Sequence, residues 1–299
     1  MRPMSVGELL DGIFTSYRSR FGLFVGLMLP LALIQSPLTL LLLLAQIPLA
    51  DQENVSEAGA FVFLAIMAAT IIVGFVIHAV AVALVTVAFG EIHLGRNVSI
   101  RTTYALVKGR VVGVLGLTLI TAVIGFGALF VSIMIAVIPA VIAVAIHPLL
   151  GFVVGVPIGL AAGLGAVYLL SRLGVAIPSL VVEHGGVFES LRRSTLLVKG
   201  YEFRAILVYV LSMVISYVAA FLFQGPFMLA AALLTEGGVS PLWTQVGQAL
   251  GGGASMALSG PLLSIGTALL YFDLRVRKEA LDLEMAMLET AAGPAGSPQ

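Results

Sequence analysis

From residue 59 to residue 90 the chain carries no Asp, Glu, Lys or Arg. A run of that length exceeds the roughly 20 helical residues that cross a bilayer core about 30 Å thick. In lipid a backbone N–H or C=O has no water to bond, so such a run folds as a helix that closes its own hydrogen bonds. Several comparable runs follow. Of 299 residues, 60% are hydrophobic and only 10% charged, against about 25% charged in ordinary soluble domains. The expected fold is therefore an all-α membrane protein with six transmembrane helices.

Other classes lose their footing. With no cysteine, disulfides, thiolate nucleophiles and cysteine metal sites are excluded together. Fifteen basic residues balance fifteen acidic ones, so net charge gives a nucleic-acid partner no support. Residues 5–21 read as an amphipathic helix rather than as the short apolar core and cleavage site of a signal peptide.

The six runs group in pairs, and a short amphipathic segment precedes each pair. In the first segment Val6, Leu9, Leu10, Ile13, Phe14, Tyr17 and Phe21 share a helical face. Ser5 and Glu8 have the spacing of a capping box at its start. Spans over residues 21–47 and 59–90 follow, separated by a loop holding Asp51, Glu53 and Glu57. The order recurs at residues 99–110, where Ile100, Tyr104, Val107 and Val111 share a face before a hairpin turning at His147 and Pro148. A third segment begins at Val187, with Phe188, Leu191, Thr195 and Val198 facing one way, and its hairpin turns near residues 236–241. Tyr17-Arg18, Val107-Lys108 and Val198-Lys199 recur at intervals of about 90 residues, as do the terminal acids Glu91, Glu183 and Asp273. The reading is one membrane domain over residues 1–290, with internal repeats at about 5–95, 99–185 and 187–278. Residues 279–290 continue as a helix with Leu281, Met285 and Leu288 on one side, ahead of a disordered tail over 291–299.

Every Lys and Arg except Arg172 lies in the N-terminal segment, the segments before the second and third hairpins, or the C-terminal segment. This asymmetry is the positive-inside pattern. It places both termini and the three amphipathic segments in the cytoplasm. Those segments either lie in the headgroup interface or pack beneath the bundle, and the acids Glu8, Asp11, Glu189 and Glu202 favour packing.

Few side chains suggest chemistry. Arg172 is the only basic residue inside a span, where an arginine costs about 2.5–3.5 kcal/mol on insertion scales unless it finds a partner. It either reaches the interface near the Pro178 break, or joins Glu91, Glu183 and Asp273 in a polar cluster able to bind an anionic headgroup. Gly151, Gly155, Gly159 and Gly163 stand four apart in the fourth span. They form a helix-packing seam first and a ligand groove second, since small residues allow close backbone approach. Gly247, Gly251, Ser255 and Ser259 form a weaker stripe in the sixth span, so the second helix of at least two repeats is expected at the bundle centre. His78 reads as interhelical glue in the second span. Glu91, His93, Glu183 and His184 match no zinc spacing. No nucleophile elbow, phosphate loop or metalloprotease helix motif is present, so neither enzyme nor cofactor is indicated.

Three stretches carry a resemblance: Arg2-Pro3-Met4-Ser5-Val6-Gly7-Glu8-Leu9-Leu10-Asp11-Gly12; residues 178–183 with Ser190-Leu191-Arg192-Arg193-Ser194; and Tyr271-Phe272-Asp273-Leu274-Arg275-Val276-Arg277-Lys278-Glu279. Together they resemble a bacterial family of six-span proteins similar to the membrane domain that precedes the catalytic barrel in some glycerophosphodiester phosphodiesterases. A catalytic barrel would need some 200 further residues, and its histidine and carboxylate metal site has no counterpart here. The resemblance thus implies a membrane domain and no hydrolase. Two functions remain in view. One is a non-catalytic module, surrounded by lipid, that docks or regulates a cytoplasmic or membrane partner protein. The other is a transporter or lipid-handling protein with a polar site near Arg172.

Overall fold

The computed structural model describes residues 4–46, 57–183, 185–236 and 241–279, the side chains of residues 235, 236 and 241 excepted. These residues form ten α-helices and no strand. Three helices are short: α1 (Val6–Ser19), α4 (Ile100–Lys108) and α8 (Val187–Val198). The long ones are α2 (Phe21–Gln46), α3 (Glu57–His93), α5 (Val111–Ile146), α6 (Pro148–Leu173), α9 (Glu202–Glu236) and α10 (Pro241–Glu279), with α7 (Ala176–Glu183) continuing α6. Six of these stretches are long and apolar enough to cross a membrane, α6 and α7 counting as one. The chain is thus a multi-pass helical membrane protein. The expectations for Asp51 and Glu53, for His184, for the turn at 237–240 and for residues 280–299 lie outside the described residues.

Local chemistry sets the helix ends. Ser5 N–H donates to the Glu8 carboxylate at 2.6 Å and Glu8 N–H to Ser5 Oγ at 3.2 Å, which satisfies donors that the start of α1 leaves open. Helix α3 stops at Gly95, whose φ of 75° suits only a residue without Cβ strain. Its N–H reaches the Ile92 carbonyl and that of Arg96 the Glu91 carbonyl, both at 3.0 Å, the paired bonds of a Schellman end. Gly200, at φ 86°, follows α8 in a tight turn closed by Tyr201 N–H donating to the Val198 carbonyl at 2.8 Å. His147 caps α6, accepting from Leu149 N–H at 3.2 Å. The interruption between α6 and α7 falls just ahead of Pro178, which has no N–H to give the preceding turn.

Among the described residues, contacts define two compact units, one of residues 4–12, 116–210 and 266–279, the other of residues 13–115 and 211–265. In the second unit α2 and α3 pack together over a core that includes Phe24, Leu27, Met28 and Leu84. The short helices are tied to spans by phenols. Tyr17 donates to the Leu258 carbonyl at 2.5 Å and Tyr104 to the Leu27 carbonyl at 2.9 Å. Each acceptor lies three residues before a proline, Pro261 or Pro30, where a broken ladder leaves carbonyls to be satisfied. Burial pushes the Tyr17 phenol up to about 12 and raises that of Tyr104, so both remain donors. A Cβ on Gly251 would lie 2.6 Å from Phe227 Cβ, and one on Gly253 would lie 2.2 Å from Ser36 Oγ.

The first unit contains the glycine seam. A Cβ on Gly151 would strike Val144, one on Gly155 would come within 2.7 Å of Ala140 Cβ, and one on Gly159 within 3.4 Å of Ala136 Cβ. The fourth member, Gly163, has no such neighbour. The seam therefore brings α6 against α5 over three of its four positions. The most apolar stretch of α10 is 78% buried and those of α3 and α6 are each 6% buried, while α3 is buried further along, from Ala83 to Gly90. Helix α10 is also the least apolar of the six. A span enclosed by protein can carry Ser, Thr and Gly that lipid would penalise, whereas the exposed apolar stretches of α6 and of the first half of α3 must satisfy lipid.

Candidate functional site

In the first unit charged side chains gather into a network around the end of α10. Asp273 is buried, its side chain 0% exposed. A lone carboxylate there would be strongly disfavoured, and this one is fully engaged. Its Oδ2 accepts from Arg204 Nε and from Arg277 Nε, each at 2.9 Å, and its Oδ1 accepts from the Met4 backbone N–H at 2.8 Å. The same two arginines turn Nη2 toward the Met4 carbonyl. Each guanidinium thus spans a carboxylate and a peptide oxygen, a fixed two-pronged geometry that a lysine cannot reproduce. Two guanidiniums on one carboxylate leave one positive charge in excess. Arg277 also lies 5.9 Å from the centre of the Tyr201 ring.

One turn away a second cluster joins α7, α8 and α10. Glu183, the last residue of α7, accepts from Arg193 Nε at 2.8 and 3.1 Å and from the Tyr271 hydroxyl at 2.6 Å. Arg193 also pairs with Glu279, which receives Arg275 Nε at 3.0 Å. Burial works against the charge on Arg193, but its bonds to Glu183 and Glu279 outweigh that cost and hold the guanidinium above its usual range. Lys278 donates to the Leu196 carbonyl, and Ser194 Oγ donates to the Arg172 carbonyl at 2.6 Å. Helix α8 is therefore tied to α6, α7 and α10 at once. Residues of all three stretches named for their resemblance converge here: Met4, Glu183 with Arg193 and Ser194, and Tyr271 to Glu279.

Of the two readings of Arg172 left open by the sequence, the one that joins it to Glu183 and Asp273 in a polar cluster is not what the first unit shows. Glu183 and Asp273 bond the arginines just named, and Glu91 pairs with Arg96 at 3.2 Å, a residue of its own loop whose side chain is 65% exposed. Among the described residues no carboxylate comes within ion-pair distance of Arg172, which instead stacks on its helical neighbour Tyr168 at 5.7 Å. The physical reason is reach. Arginines at 193, 204, 275 and 277 lie closer to the acids in space, and a carboxylate satisfied by two donors has little left to offer a third.

Helix α8 also departs from its expected face. Its buried side is Ser190, Ser194, Leu197 and Val198, while Phe188 is 77% exposed. Serines bonded to the Gly186 and Arg172 carbonyls, together with the Arg193 ion pairs, set the inward face, so the apolar stripe is not what orients it. Phe188, Arg192, Leu196 and Lys199, spaced four, four and three apart, form an outward stripe, and Phe203 at the start of α9 is 78% exposed. His78 does not act as interhelical glue: it is exposed and makes no hydrogen bond among the described residues. No group of three His, Asp or Glu side chains able to hold a metal gathers among the described residues.

Sequence reading misses Arg193, Arg204 and Tyr271. Part of the signal is present, because Asp273 to Arg277 and Arg275 to Glu279 have the four-residue spacing of helical ion pairs. Comparison with models of protein families, with curated proteins and with solved structures finds no match to this chain.

Proposed function

We propose that this chain is a non-catalytic module of the bacterial cytoplasmic membrane, with both termini cytoplasmic, whose braced cytoplasmic floor docks a partner protein. The observation that carries this reading is how the charges of the network are used. Its carboxylates are held by guanidiniums, a phenol or a backbone N–H, and the bonds tie the N-terminal segment, α7, α8, α9 and α10 to one another. An acid or base for proton transfer needs a face open to substrate, and these groups are committed to their neighbours. The network therefore acts as a brace. The stripe on α8 is what the brace presents. Phe188 and Leu196 supply apolar contact and Arg192 and Lys199 supply charge, so the matching partner surface would combine apolar and acidic side chains.

The lack of Lys and Arg in the opposite loops supports the orientation, and the resemblance to a phosphodiesterase membrane domain agrees with a module that lacks its own chemistry. The test is site-specific photocrosslinking from positions 188 and 203 in native membranes. A discrete protein adduct that disappears when Glu183→Gln loosens α8 is the expected result. Adducts to lipid alone, or a protein adduct indifferent to Glu183, would overturn the docking role.

A further inference from the structure

The network leaves one arginine out. Arg172 Nε is inaccessible to solvent and has no hydrogen-bond acceptor, and Nη1 reaches only the Tyr168 hydroxyl, at 3.5 Å. In the same unit Arg193, Arg204, Arg275 and Arg277 all hold carboxylates. With no carboxylate among the described residues to hold this guanidinium, its exposed Nη1 end is left for a group from outside the protein.

Position says what that group is. Arg172 follows Pro148 by 24 residues of helix, about 36 Å at 1.5 Å per residue, just beyond a hydrocarbon core of about 30 Å. That is the level of lipid phosphates, on the side of the membrane where the charged network lies. The approach is lined as well. Leu160, Leu164 and Tyr168 precede Arg172 at steps of four, on the helical ridge next to the glycine seam, and are 65%, 69% and 40% exposed. Reading outward along this ridge gives two leucines for an acyl chain, a phenol at the boundary where tyrosines concentrate, and a guanidinium whose fork matches two phosphate oxygens.

We propose that Arg172 and Tyr168 bind the phosphate of an anionic phospholipid whose acyl chain lies along Leu160 and Leu164. This site is separate from the α8 stripe and does not depend on partner docking. Its chemistry is shared with inorganic phosphate, and the apolar ridge is what favours the lipid.

The test uses the full chain reconstituted with phosphatidylglycerol and phosphatidylcholine, extracted gently and read by native mass spectrometry. Wild type is expected to retain phosphatidylglycerol. Arg172→Gln should lower the retained lipid about tenfold, the scale set by losing a charged hydrogen bond, with Arg172→Lys in between and Arg96→Gln unchanged. Should Arg172→Gln fail to fold, delipidated wild type can be titrated with phosphatidylglycerol, with diacylglycerol lacking the phosphate, and with inorganic phosphate. Thermal stabilisation by the first alone supports the site. Equal stabilisation by diacylglycerol removes the phosphate contact, equal stabilisation by inorganic phosphate removes the lipid, and equal lipid retention by Arg172→Gln removes the proposal.

Discussion

Asp273 and Glu91 both lie toward the C-terminal end of a long helix and both pair with arginine, yet they belong to different kinds of structure. Asp273 is sealed from solvent, shared by two guanidiniums and bonded to the peptide of Met4, 269 residues away in sequence. Glu91 meets one arginine five residues on, at the surface. Water solvates the Glu91 pair whether or not it forms, so the pair contributes little. Around Asp273 water has been replaced by designated partners, so removing any one strands the rest. The lesson is that an acid at a helix end is a weak clue by itself. What it holds decides its weight.

The sharpest test of this contrast is Asp273→Ala, which strands Arg204, Arg277 and the Met4 N–H together. A loss of about 3–5 kcal/mol is expected, read as an early thermal transition in detergent by circular dichroism. Asp273→Asn keeps the volume and removes the charge, and wild-type melting of that variant would break the comparison. Tyr271→Phe deletes one hydroxyl bonded to Glu183 and should cost about 1.5–3 kcal/mol, as expected for a hydrogen bond to a charged acceptor. Arg277→Lys keeps a charge near Asp273 but cannot reach both Asp273 and the Met4 carbonyl. About 0.5–1.5 kcal/mol is expected from the lost bond, with greater proteolysis of the N-terminal segment as a second readout. At the small end, Arg96→Gln should change melting by less than about 1 kcal/mol. A larger loss there would place the Glu91 pair in the same class as Asp273.

The architecture is legible locally because a membrane helix is a local object. Its length, apolarity and caps are properties of consecutive residues, so six long apolar helices and the Ser5–Glu8 cap could be anticipated from order alone. The site is legible only in part. Asp273, Glu183 and Arg172 stand out as charges near span ends, but the sequence leaves open whether Arg172 meets the acids, and space gives them Arg193, Arg204, Arg275 and Arg277 instead. Phe188 fails for a related reason: periodicity groups it with Val198 on one face, but Ser194 bonds the Arg172 carbonyl and the helix settles with Val198 buried and Phe188 exposed.

Hydropathy alone determined that the chain crosses lipid as helices, since every residue in such a run must satisfy the same solvent and the same backbone bonding. Tertiary structure decided which charges meet, which face of α8 turns inward, and that α10, the least apolar span, is the buried one. Those outcomes depend on contacts between residues up to 273 positions apart. No local pattern encodes which distant partner arrives first or fits best.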